Sequence, residues 1–136
     1  MPLEETLATF GYLIKELDAM KPAYIVILQY VTTLDVEFDG KSRATKHDII
    51  AAYAPLIKNT KFILNGGLTP SVADELIKSG SIDAAAFGIP WIAHPDMQKR
   101  FEAGKPLDAV TNWKDVYWHE GITVREGYTD YPIIIV

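Results

Sequence analysis

Leu64-Asn65-Gly66-Gly67-Leu68-Thr69-Pro70, followed further on by Ala86-Phe87-Gly88-Ile89-Pro90, are the stretches that decide how this chain folds. Each reads as the end of a buried parallel strand that runs into glycine and then into a helix start. Two such turns in succession are how the last two units of a (β/α)8 barrel present backbone N–H groups to a phosphate.

Working outward, the pattern alternates between helix and strand. Leu3, Leu7, Phe10, Ile14 and Leu17 recur at helical spacing, and Lys21-Pro22 stops that helix. Ala23 to Tyr30 is β-rich and apolar on both faces, which predicts a parallel strand covered on two sides. A polar loop follows, with Asp39-Gly40 as its turn signal. Thr45 with Asp48 three residues on predicts a capped second helix whose apolar face is Ile49, Ile50, Tyr53 and Ile57. Phe62-Ile63-Leu64 is the next strand. Thr69 as N-cap, Pro70 at the first helical position and Gly80 at the far end bound a third helix. Ile82 to Phe87 predicts the third strand, and His94-Pro95-Asp96 opens a fourth helix ending at Gly104. Helices and strands alternating in this way imply βαβ units and a parallel sheet.

Composition narrows the class. The chain has 136 residues, about half of them apolar, a net charge of −5 and no cysteine. One core and a single domain over 1–136 are expected. The acidic balance, with no Lys/Arg stripe, argues against nucleic acid. The absence of cysteine removes disulfides and thiolate chemistry and fits a reducing, cytoplasmic compartment. No apolar run is long enough for a membrane span.

Three parallel strands are too few to stand alone. They leave two unpaired edges, and a barrel of this type needs eight strands in about 250 residues. A shortened barrel, a fragment completed by another chain and a small open α/β domain all fit the periodicity.

The run from Asn65 to Gly104 resembles the C-terminal part of the Old Yellow Enzyme family, flavin-dependent ene-reductases with a (β/α)8 fold. The matching pieces are Gly66-Gly67-Leu68-Thr69, Leu76-Ile77-Lys78-Ser79-Gly80, Ile82 to Gly88, Ile92-Ala93-His94-Pro95-Asp96-Met97 and the tail Glu126-Gly127-Tyr128-Thr129-Asp130-Tyr131-Pro132. Thr9 to Ile14 and Ala23-Tyr24-Ile25 resemble the helix and strand that precede them. The resemblance implies a partial (β/α)8 TIM barrel of about three parallel strands, barrel strands six to eight. It also implies FMN as cofactor, NAD(P)H as reductant and an enone or enal as substrate. The FMN phosphate would rest on backbone amides at Gly66, Gly67, Gly88 and Ile89, and Tyr128 would line the substrate side of the flavin. Many members carry an arginine where this chain has Ile89, so a bidentate contact to phosphate is missing. The family's proton donor and substrate-binding pair come from strands absent here. No catalytic residue is therefore assigned, and the chain is expected to be inactive alone. The alternative is a non-catalytic half-barrel that self-associates or docks on a complementing half-barrel.

Other polar residues have plainer readings. His94 is expected to be a cap or surface group and His47 a solvated residue in a first helical turn. Asp35, Glu37 and Asp39 are expected to be a solvated loop rather than a calcium site. His119 has no nameable partner, and the three histidines lack metal-ligand spacing. The terminal Ile133-Ile134-Ile135-Val136 run is expected either to pair with a sheet or to mark an artificial chain end, and exposed it would promote aggregation.

Overall fold

The structure, a computed structural model, describes residues 1–35, 37–110, 116 and 127–133. His119, Glu126 and the terminal Ile134 to Val136 lie outside the described residues. The chain divides into two units, Met1–Ala86 and Phe87–Val136.

The first unit is built on a parallel sheet. Helix α1 (Leu3–Ala19) leads into β1 (Tyr24–Leu28), and α2 (Ile49–Tyr53) precedes β4 (Lys61–Asn65). Helix α3 (Pro70–Lys78) then connects to β5 (Ala84–Ala86). Between β1 and α2 lies a small antiparallel hairpin of β2 (Glu37–Phe38) and β3 (Lys41–Ser42). The sheet order is β1-β4-β5, all parallel, with Leu28 opposite Asn65 and Asn65 opposite Ala86.

Local chemistry explains the helix ends. The Thr69 hydroxyl accepts the Val72 amide at 3.3 Å with Pro70 at the first position, as the sequence predicts. Gly80 closes α3 at φ +73°, with the Gly80 amide donating to Ile77 and the Ser81 amide to Leu76, a Schellman arrangement. Asp39 and Gly40 both adopt positive φ, 53° and 68°, which joins β2 to β3 with the right twist. Helix α2 departs from expectation. Its N-cap is Asp48, whose carboxylate accepts the Ala51 amide at 2.9 Å, while Thr45 donates to the Met1 carbonyl. It is also short: Pro55 lies within the tight turn Ala54–Leu56 that follows. His47 accordingly precedes the helix. Its ring lies 3.0 Å from the hydroxyl of buried Tyr53.

The helices α1, α2 and α3 of the first unit lie against one face of its sheet. Phe62 and Leu64 of β4 pack with Ile14 of α1, Ile49 and Tyr53 of α2 and Ile82, flanked by Ile27, Leu76 and Ala85. The other face, carrying Tyr24, Val26 and Leu28, is exposed. The prediction that β1 is covered on both sides is therefore wrong. Its double-sided apolar pattern is that of a strand from a filled barrel, where the inner face also needs cover.

Asp18, in the last turn of α1, joins that helix to the start of β4. It is buried and accepts the Asn59 amide at 2.9 Å and the Asn59 side chain at 2.8 Å. Burial pushes its carboxyl up, but N–H donors from Asn59, Lys58 and Thr60 outweigh that and hold it below the ordinary value. A depressed folded-state value means stability that is present above the unfolded value, near pH 4, and lost as pH falls through the folded one. Asp18→Asn is expected to be less stable at neutral pH and to lose less stability on acidification. Urea titrations at several pH values would show this; parallel pH profiles for the two proteins would contradict it.

The second unit holds α4 (Ile89–Ala93) and α5 (Met97–Glu102). The sequence reading omitted α4, although Gly88 followed by Pro90 at its start is a helix-opening signal. Predicted strand Ile82 to Phe87 is only three residues long. His94 is also not at the surface. It is 2% exposed, ends α4, and its Nδ1 lies 2.8 Å from the Pro90 carbonyl while Nε2 lies 3.0 Å from the Asp108 amide. An amide can only donate, so Nε2 accepts and the ring proton sits on Nδ1, donated to Pro90. Beside it, buried Arg100 donates to Asp96 at 3.0 Å and to Asp108 at 2.9 Å. Met97 is fully buried, and Phe87 meets Phe101 edge-on at 5.5 Å.

Candidate functional site

Ligands of parallel α/β sheets bind beyond the carboxyl ends of the strands. In the first unit that end of β4 is Asn65, from which the chain turns through Gly66 and Gly67 into α3. The two glycines have separate jobs. Gly66 sits at φ +107°, and a Cβ there would stand 2.9 Å from both the Gln29 carbonyl oxygen and Val31 Cγ2, and 3.0 Å from Leu28 Cδ1. Gly66 is the residue that lets β4 turn against the end of β1.

Gln29 locks the turn from the other side. Its amide donates to the Asn65 carbonyl at 2.9 Å and its side-chain Nε2 to the Gly66 carbonyl at 2.5 Å. Gln29 was missed by sequence reasoning, yet a single amide side chain ending an apolar strand, at the carboxyl edge of a parallel sheet, was a usable signal.

Gly67 faces the other way. At φ +60° it has nothing within 4 Å of where a Cβ would be. Among the described residues, neither the Gly67 nor the Leu68 amide donates to a protein acceptor. These are two uncommitted N–H groups, with the N-terminus of α3 just beyond Thr69, and donors of this kind could hold an anion.

The second unit begins on the other predicted turn. Gly88 is the N-cap of α4, exposed, with its carbonyl accepting the Trp91 and Ile92 amides. Half-buried Ile89 is the first helical residue, so its amide has no intrahelical acceptor. No cation takes the place of the missing arginine through Arg100, which is buried and engaged with Asp96 and Asp108. The side-chain contact with Asp108 comes first in raising the Arg100 guanidinium above its ordinary value. Tyr128 lies on the turn at 127–129, half exposed, where the Gly127 amide donates to Asp130 at 2.8 Å.

Asp35 belongs to the first unit and is no free loop carboxylate. It accepts from the Ser42 hydroxyl, from Tyr30 at 3.1 Å and from the Arg43 and Ala44 amides at 3.2 and 3.0 Å. The Ser42 contact leads in holding its carboxyl below the usual range. Arg43 over Phe38 and Lys46 over Tyr30 add cation–π contacts at 4.5 and 4.3 Å. This loop, α1 and β1 bound an open cleft of about 620 Å³ whose walls include Phe10, Leu13, Val26, Leu28, Tyr30 and Asp35. Among the described residues no cluster of His, Cys, Asp or Glu could hold a metal, and no helix is long and apolar enough to cross a membrane.

No family model matches the chain. The 12-oxophytodienoate reductase-like protein of Solanum lycopersicum is 30% identical over 132 residues, 97% of this chain and 32% of that protein. Putative 12-oxophytodienoate reductase 5 of Oryza sativa subsp. japonica is 32% identical over 96 residues, 71% and 24% of the two chains. Flavin oxidoreductase hxnT of Emericella nidulans is 25% identical over 135 residues, 90% and 34% of the two. Among solved structures, the old yellow enzyme from Trypanosoma cruzi matches with a TM-score of 0.72 at 26% identity, over 93% of this chain and 30% of that one. A variant of NCR from Zymomonas mobilis matches with a TM-score of 0.70 at 25% identity, over 98% and 40%. The chain thus spans from about a quarter to a third of the length of these curated relatives. Its parallel βα units are a partial (β/α)8 barrel, and the chain belongs to the Old Yellow Enzyme family of flavin oxidoreductases.

Proposed function

We propose that this chain is the phosphate-binding part of an FMN-dependent ene-reductase and that it has no turnover by itself. The observation that carries the reading is the open, uncommitted amide pair at Gly67 and Leu68, in front of the Thr69-capped helix. Its donor set fits a phosphate: N–H groups, a helix N-terminus and no facing carboxylate among the partners of the turn. Gly66 shapes the cradle, and Gly88 and Ile89 are further amide donors on this reading. Tyr128 is assigned to the substrate side.

The chemistry supplied by bound FMN is hydride transfer from NAD(P)H to an activated alkene, an enone or enal. The chain's own contribution is to bind and orient. It holds the anionic tail through backbone amides, without an arginine, so that tail carries less of the affinity than a bidentate ion pair would give. A cytoplasmic setting fits the absence of cysteine.

The test compares FMN with riboflavin, which lacks the phosphate, by flavin fluorescence titration of the purified chain. FMN is expected to bind more tightly, by roughly tenfold or more, the scale of one or two hydrogen bonds to a charged group. Gly67→Asp, a residue that tolerates positive φ, places a carboxylate in the open space and should remove the difference. Equal affinity for the two flavins in the wild type would overturn the phosphate reading. NADPH oxidation with added FMN and cyclohexenone is expected to stay at the level without protein, and measurable turnover would show that the reaction needs nothing beyond these residues. A second reading, a half-barrel that assembles with itself or with a complementing half-barrel, is favoured by the exposed Tyr24, Val26 and Leu28.

A further inference from the structure

We propose that the Gly66–Gly67 peptide is a two-state element and that the Gln29 side chain is the positioning residue that holds it with its N–H turned outward. A trans peptide unit is planar, and its carbonyl and N–H point in opposite directions. The carbonyl of Gly66 and the amide of Gly67 belong to one such unit. Gln29 Nε2 donates to that carbonyl at 2.5 Å, so the Gly67 N–H is aimed away from Gln29. Of the two polar atoms of the carboxamide, only the nitrogen can meet a carbonyl, because the oxygen has no proton to give.

The contact decides the orientation because the chain before this peptide is fixed and the peptide itself is not. The Asn65 carbonyl accepts the Gln29 amide at 2.9 Å, and the Gln29 carbonyl oxygen stands 2.9 Å from where a Cβ of Gly66 would be. Beyond that point the hold is a single bond. Among the described residues no other group donates to the Gly66 carbonyl, and none accepts from the Gly67 amide. A peptide between two glycines is also the easiest kind to rotate. Its turning changes ψ at the first residue and φ at the second, and glycine takes either sign about equally well. A turn of about 180° carries Gly67 from φ +60° to about −120°, which is ordinary extended backbone.

In the turned state the Gly66 carbonyl replaces the Gly67 N–H on the outward side. For an anion that exchange is decisive, since a donor gives way to an acceptor that repels negative charge. The consequence for binding rests on the phosphate reading proposed above, in which the Gly67 amide is one of the donors to the FMN phosphate. Gln29 acts through the peptide and not on the ligand. Its removal should therefore weaken the hold on the phosphate and leave the rest of the flavin unaffected.

Two measurements on the full chain test this, the first without any ligand. In the isotopically labelled protein, the three-bond couplings between the Gly67 amide and α protons report φ and separate +60° from about −120°. The wild type is expected at +60°. Gln29→Met, which keeps the length and has no donor, is expected to shift to a mixture of the two orientations. Gln29→Lys, which can donate and cannot accept, should keep the wild-type couplings. Fluorescence titration then gives the ratio of FMN to riboflavin affinity. In Gln29→Met that ratio is expected to fall about fivefold, the factor of one net hydrogen bond, with riboflavin affinity unchanged. General damage to the fold would instead lower both affinities together. Circular dichroism establishes that each variant is folded. If Gln29→Met is not, Gln29→Asn takes its place, because its side chain is too short to reach the carbonyl, and the wild-type couplings stand in either case. Wild-type couplings in the folded donor-less variant, or a wild type that already populates both orientations, would overturn the proposal. So would an FMN preference carried undiminished into that variant. Equal affinity of the wild type for the two flavins, with the couplings as expected, would remove the phosphate reading and leave the Gln29-held peptide standing.

Discussion

Gly66→Ala is expected to destabilise the protein by about 3–5 kcal/mol, and Gly67→Ala by only about 1 kcal/mol, although the two residues are adjacent and identical. Two costs meet at Gly66. A φ of +107° lies outside even the left-handed region that other residues occupy sparingly, and the new Cβ would stand 2.9 Å from the backbone oxygen of Gln29. That oxygen belongs to the strand end that anchors β4, so it cannot yield as the tip of a flexible side chain could. At Gly67 only the conformational cost applies, since nothing lies within 4 Å. Equilibrium unfolding in urea measures both, and near-equal midpoints for the two variants would contradict this division of labour. The division bears directly on function: Gly66 is required for the turn to exist, and Gly67 is the position where a ligand can be tested without losing the fold.

His94→Ala is expected to cost about 3 kcal/mol through the cavity it leaves and the unpaired Asp108 amide. The Pro90 carbonyl retains the His94 backbone amide at 3.1 Å, so the orphan donor at Asp108 is the heavier loss. His94→Gln offers a carboxamide whose NH₂ reaches toward Pro90 and whose oxygen can accept from Asp108, and it should recover part of the loss. Unfolding midpoints together with exchange at the Asp108 amide check this. A His94→Ala protein as stable as the wild type, with Asp108 still protected, would mean that the ring is not the partner that holds residue 108.

The turns that ended up correct from the sequence are those whose cause lies within a few residues. Thr69 and Pro70 open α3, Gly80 closes it and Asp39-Gly40 makes a hairpin, because capping and positive φ are local requirements. Thr45 failed as a cap for a reason outside its neighbourhood: its hydroxyl donates to Met1, at the far end of the unit, and Asp48 takes the cap. The spacing of Asp35 predicts a solvated carboxylate because its donors, Tyr30, Ser42, Arg43 and Ala44, come together only when the loop folds back on itself. Gln29 carries no motif at all and matters only through its reach to Gly66.

The sequence by itself determined the family, the parallel βα order and the presence of glycine turns at the ends of the second and third parallel strands. Those are properties of residue type and spacing, and residue type and spacing fix backbone preference and strand period. Only the tertiary structure decided which of two neighbouring glycines is packed against Gln29 and which is open, that His94 is buried, and that Tyr24, Val26 and Leu28 lack cover. Each of these depends on what stands opposite a residue, and contacts between groups far apart in the chain leave no trace in the local pattern.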